Sequence, residues 1–166
     1  VHLEAGLRSR DRRMPEEINR LVTDSIADVL WTPSRDGDEN LLREGVPADR
    51  IECIGNIMID SYEMMRGAIE ADTTRSGLGL APREYGVVTL HRPSNVDTRE
   101  ALAPLVEALL TVSQRVPLVF AVHPRTRKKL QEFALMERLS GSGAVRVVDP
   151  LGYIQFMNLV TGARVV

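Results

Sequence analysis

Hydrophobic positions along this chain fall into two patterns: short unbroken apolar runs, and longer stretches spaced three and four apart. Such runs stand at Tyr85–Leu90 and Pro117–Val122, and Val145–Val148 reads as a further strand. Strands that are apolar throughout, and not alternating, belong to a parallel sheet covered on both faces. Arg99–Val112, Arg127–Leu139 and Tyr153–Val160 carry helical spacing between and after them. A further strand begins at Arg164–Val166. Strand and helix therefore alternate three times, which predicts an α/β fold.

The first part of the chain is less regular. Val1–Ala5, Val29–Thr32 and Arg50–Ile54 predict strands. Gly6–Met14 predicts a loop rich in arginine: Arg8, Arg10, Arg12 and Arg13. Pro15 opens a helix at a favoured first-turn position, with Glu16 and Glu17 where the helix dipole favours negative charge. Ile18, Leu21, Val22, Ile26 and Val29 predict the buried face of that helix. A short helix follows Pro33-Ser34 and stops at Gly45. Another follows Gly55-Asn56 and runs to Ile69. Residues 71–83 show no periodicity and read as a linker or long surface loop. The expected division is 1–70, a linker at 71–83, and 84–166. An apolar strand stands at either terminus, so the expectation is an interior fragment in which both domains are incomplete.

Composition narrows the function classes. A formal net charge of −2 exerts no global pull toward nucleic acid, and 4% aromatic residues leave no stacking platform for single strands. No apolar run is long enough to span a membrane, and no signal peptide is visible. Cys53 is the single cysteine, which rules out an internal disulfide and points to a reducing, cytoplasmic setting. Glycine-rich phosphate loops, zinc-ligand spacings and a nucleophile elbow are all missing.

Three histidines remain. In an open parallel sheet, ligands bind beyond the carboxyl ends of the strands. His91 follows Val87–Leu90 and His123 follows Leu118–Val122, each with an arginine within two residues, Arg92 and Arg125. An imidazole beside a fixed cation suits an anionic ligand such as a phosphate; a purely structural histidine at each place is the alternative. His2 lies in the first strand, with Glu4 two positions later on the same face. A loop between Glu4 and Glu16 could bring both carboxylates to one site for acid–base work. Helix N-terminal charge is the competing explanation of Glu16 and Glu17.

Five motifs, in order, carry a resemblance. His2-Leu3-Glu4-Ala5-Gly6-Leu7-Arg8, Met14-Pro15-Glu16-Glu17-Ile18-Asn19-Arg20, Gly55-Asn56, His91-Arg92-Pro93-Ser94-Asn95-Val96-Asp97 and Val122-His123-Pro124-Arg125 are together similar to the UDP-N-acetylglucosamine 2-epimerase family. The resemblance implies two Rossmann-like domains facing a cleft, the GT-B arrangement. Residues 1–70 would be the second half of the N-terminal domain, and residues from 84 the first half of the C-terminal, UDP-binding one. It implies interconversion of UDP-N-acetylglucosamine and UDP-N-acetylmannosamine by elimination and re-addition of UDP, as in the non-hydrolysing type. A hydrolysing epimerase or a GT-B glycosyltransferase stays open. The resemblance implies no metal and no cofactor, a UDP-sugar as partner, and a homodimer in polysaccharide biosynthesis. By the same matching, Glu4, Glu16 and His91 are the expected catalytic residues. Arg92, Asn95, His123, Arg125 and Phe156 are the expected substrate contacts, with Arg92 and His123 at a regulatory UDP-sugar. His2 is expected to position the strand that delivers Glu4. Ser94 and Arg10 depart from the family's usual residues. The fragment alone is expected to be inactive.

Overall fold

Six short strands and nine helices are built from this pattern in the computed structural model, which describes residues 1–166. The chain divides into two compact units, Val1–Met65 and Arg66–Val166.

The first unit holds a parallel sheet of β1 (His2–Leu3), β2 (Leu30–Thr32) and β3 (Ile51–Cys53), in that order. Helix α1 (Pro15–Ile26) connects β1 to β2. Helix α2 (Arg35–Arg43) and a 3₁₀ turn at Ala48–Arg50 connect β2 to β3. Helix α3 (Ile57–Ala71) begins in this unit and ends in the second. The apolar core here is small: Ala5, Ala27, Leu30 and Leu41, with Val46 and Ile51 against them. Periodicity identified the buried face of α1 only in part: Ile18, Leu21 and Val29 are half-buried. The residues it buries are Glu17 and Asp24, while Val22 and Ile26 are 54% and 74% exposed. Hydrogen bonds and ion pairs to both carboxylates, described below, make that burial tolerable.

The second unit holds β4 (Gly86–Val88), β5 (Leu118–Ala121) and β6 (Val145–Val148), again parallel and in that order. Val165 adds a parallel bridge to Gly86 where the last strand was expected. Helices α6 (Arg99–Ser113), α7 (Pro124–Glu132), α8 (Met136–Gly141) and α9 (Tyr153–Gly162) follow the strands. One apolar cluster, centred on Phe120, Leu102, Val106, Leu130 and Leu139, fills one side. Tyr85, Val87, Val119 and Leu159 form another.

Three local features differ from the sequence reading. The helix expected over 127–139 is two helices, because Ala134 takes a left-handed conformation (φ 56°) between them. A four-residue helix, α5 (Pro93–Val96), follows His91. The 71–83 stretch is folded onto the second unit. Its helix α4 (Thr74–Gly77) lies against α9, where buried Asn158 accepts from the Arg75 amide and donates to the Ile69 and Asp72 carbonyls. Leu78 and Leu80 join the Tyr85 cluster.

Candidate functional site

Parallel register sets the second unit's site. Val88 pairs with Phe120, so His91 and His123 each stand three residues beyond a paired position (91 − 88 = 3; 123 − 120 = 3). Two residues aligned in this way emerge side by side, and the imidazole centroids are 6.4 Å apart. Below them lies a pocket of about 190 Å³ lined by Thr89, Leu90, Ala121, Pro150, Leu151 and Phe156 as well as the two histidines. Its wall is mainly apolar and its polar groups are the imidazoles and a threonine. An aromatic base fits the first, and an anion the second.

Each histidine is held by its own element. His123 caps α7, its Nδ1 accepting the Arg125 amide at 3.2 Å, so the neutral ring carries its proton on Nε2. Buried Thr126 donates its hydroxyl to the Leu90 carbonyl at 2.5 Å, tying α7 to the chain just before His91. Arg125 forks onto Asp97 at 2.7 and 2.5 Å. That pairing holds the Asp97 carboxyl below its ordinary range and the guanidinium above its own. Of the residues expected to bind, His91, His123 and Phe156 share the pocket. Arg92, Asn95 and Arg125 lie outside its lining, on the α5 and α7 segments beside it.

In the first unit, Glu4 follows β1 directly and is exposed, in a left-handed conformation (φ 61°). The strand's alternation therefore stops at Leu3, and the expectation that Glu4 shares a face with His2 does not hold. Glu16 is exposed in the first turn of α1. Its neighbour Glu17 is 1% exposed and accepts the Ser9 and Arg10 amides, each at 2.9 Å, and Arg20 at 2.8 Å. These bonds, led by that from the Ser9 amide, hold its carboxyl below the ordinary range. They fold the arginine loop back onto the start of α1. Asp11 is brought down to about 2 by Arg13, mainly through side-chain hydrogen bonds.

Sequence reasoning missed Asp24 and gave Arg8 no partner. Asp24 is 3% exposed and receives His2, the Gly6 amide and Arg8. Arg8 in turn forks onto Glu44 at 2.8 and 2.6 Å, and this, first among its contacts, holds its guanidinium above the ordinary value. Glu17 and Asp24 stand seven residues apart and so share one face of α1, a spacing that shows only when charged residues are counted toward the buried face. A cleft of about 710 Å³ between α1, α2 and the loop is lined by Arg8, Arg10, Arg12 and Arg43, among others; Glu4 and Glu16 are not part of its lining. No group of three or more His, Cys, Asp or Glu is gathered in a way that could hold a metal ion. No helix is long and apolar enough to cross a membrane.

Parallel strands, crossover helices and an apolar pocket beyond the strand ends define a Rossmann-like class of α/β protein. The family model for UDP-N-acetylglucosamine 2-epimerase matches residues 1–166. The Methanocaldococcus jannaschii UDP-N-acetylglucosamine 2-epimerase is 36% identical over 171 residues, covering 100% of this chain and 47% of that protein. The Pseudomonas aeruginosa UDP-2,3-diacetamido-2,3-dideoxy-D-glucuronate 2-epimerase is 40% identical over 164 residues, covering 96% and 43%. The crystal structure of the M. jannaschii enzyme in complex with UDP-GlcNAc and UDP superimposes with a TM-score of 0.87 at 37% identity, covering 98% of this chain and 46% of that one. The chain belongs to the UDP-N-acetylglucosamine 2-epimerase family and has its GT-B-type α/β fold class. It spans somewhat less than half the length of these relatives.

Proposed function

We propose that this chain is the central part of a UDP-sugar 2-epimerase that interconverts UDP-N-acetylglucosamine and UDP-N-acetylmannosamine without net hydrolysis. The observation that carries this reading is the pairing of His91 and His123 over the apolar pocket that holds Phe156. The pocket suits the uracil, and the His91 imidazole suits the diphosphate that departs as UDP is eliminated. The C2 proton is not acidified by a carbonyl, so the reaction needs a positioned base and acid. Glu4 and Glu16 take those parts, with His91 at the leaving diphosphate. Arg92, Asn95 and Arg125 contact the sugar nucleotide from beside the pocket, and His123 with Arg92 serves a regulatory UDP-sugar.

The two units are then the second half of an N-terminal Rossmann-like domain and the first half of a C-terminal, UDP-binding one. The whole protein works as a cytoplasmic homodimer in polysaccharide biosynthesis, without cofactor or metal. The chain by itself, at less than half its relatives' length, is inactive.

The test is incubation of the full-length protein with UDP-N-acetylglucosamine in D₂O, followed at C2 by NMR. Deuterium at C2 together with the manno product is expected. Free UDP and free N-acetylmannosamine rising in step would identify a hydrolysing enzyme. Sugar transfer to an acceptor with no exchange would identify a transferase. The P. aeruginosa relative's name designates a sugar with a carboxylate, so the corresponding UDP-uronate belongs in the same assay.

A further inference from the structure

The turn that carries Glu4 is closed on one buried carboxylate. Asp24 Oδ1 lies 2.5 Å from His2 Nδ1. Its Oδ2 accepts the Gly6 amide at 3.1 Å and lies 2.6 Å from Arg8 Nη1. These partners are two residues before Glu4, two after it and four after it. The side chains are out of solvent: 3% exposed for Asp24, 4% for Arg8 and 19% for His2. An ionised carboxylate only accepts, so His2 donates from Nδ1.

Glu4 itself has φ 61°, a conformation that a non-glycine residue holds only when its surroundings determine it. The Ala5 amide bonds the Trp31 carbonyl, and the Asn40 side chain donates to the Gly6 carbonyl. Gly6, at φ 76°, lies so close to α2 that a Cβ would overlap the Gly37 carbonyl. Asp24 alone joins both flanks of Glu4 at one point.

We infer that Asp24 is a positioning residue that sets the place of the Glu4 carboxylate through His2, Gly6 and Arg8. This rests on the reading of Glu4 as a catalytic residue. A charge misplaced by about 1 Å costs roughly 100-fold in rate, while ground-state binding made by other residues is untouched.

The test uses the full-length protein and the D₂O exchange assay. Asp24→Asn is expected to lower kcat about 100-fold and leave KM within about twofold. On a Glu4→Gln background the same change is expected to add little, because both act through one group. An unchanged kcat in Asp24→Asn overturns the inference. So does an equal loss on the wild-type and Glu4→Gln backgrounds, which is the mark of a merely structural role. Should Asp24→Asn not fold, His2→Gln removes one tie only, and His2→Asn returns a donor at the Nδ1 place. Loss of kcat in His2→Gln with recovery in His2→Asn supports the inference; equal kcat in the two overturns it. A wild-type protein with no C2 exchange overturns the epimerase reading and this inference with it. Exchange by the wild type with an intact kcat in Asp24→Asn overturns the inference alone.

Discussion

The two units build the same parallel α/β pattern by opposite means. In Arg66–Val166 the strands are covered by two apolar clusters, and Phe120, Leu102, Leu130 and Leu139 are wholly buried. In Val1–Met65 only four apolar residues form the core, and two buried carboxylates, Glu17 and Asp24, organise the chain around it. Apolar packing is non-directional and tolerant of exact placement. Hydrogen bonds to a buried carboxylate are directional and fix particular backbone atoms. The histidine pocket is thus placed by strand register, and the Glu4 turn by charge.

Trp31 makes this difference measurable. It is the chain's single tryptophan and sits in β2, its Nε1 donating to Glu52 at 2.9 Å. Its fluorescence reports the first unit, while far-UV circular dichroism reports both. The largest effect is expected from Phe120→Ala, a loss of roughly 3–5 kcal/mol in urea unfolding. The dichroism transition should move while Trp31 fluorescence stays in place; coincident movement would show the units unfold as one. Gly6→Ala should do the reverse. Its left-handed backbone and contact with Gly37 predict a cost of at least about 2 kcal/mol, seen in the Trp31 transition. Tyr85→Phe removes the 2.5 Å hydrogen bond to the Leu159 carbonyl. It should cost about 1 kcal/mol in the dichroism transition alone.

The smallest effect is expected from mild acid. Glu17 has a folded pKa below its ordinary 4.5. A depressed carboxylate stabilises fully above the unfolded value and loses that contribution as pH falls through the folded one. Hydrogen exchange at the Ser9 and Arg10 amides should therefore quicken relative to the Phe120 amide as pH drops below 4.5, after correction for the intrinsic rate. Equal protection ratios at all pH values would remove Glu17 as the anchor of the loop.

The same contrast explains what could be read from the sequence. The strands at 86–88 and 118–121 were legible because burial on both faces writes an unbroken apolar run, and the strand at 145–148 kept three valines around its exposed Arg146. The positions of His91 and His123 followed from those runs. The buried face of α1 was only partly legible to apolar periodicity. Glu17 and Asp24 are buried through partners on a loop and on β1, and Val22 and Ile26 supply an apolar signal on an exposed side. The break at Ala134 carries no glycine or proline to announce it. Helices α4 and α5 are four residues each, too short for any period. The five motifs identified the family but could not show that Arg125 is engaged with Asp97.

The equal three-residue offset of His91 and His123 from the Val88–Phe120 pair also constrains inheritance. Substitutions around the pocket change its chemistry one position at a time. A single codon gained or lost between Val88 and His91, or between Phe120 and His123, would instead put one imidazole out of step with the other. Length variation in relatives that keep both histidines should therefore collect in the later connections, after α5 and α7, and spare these two segments.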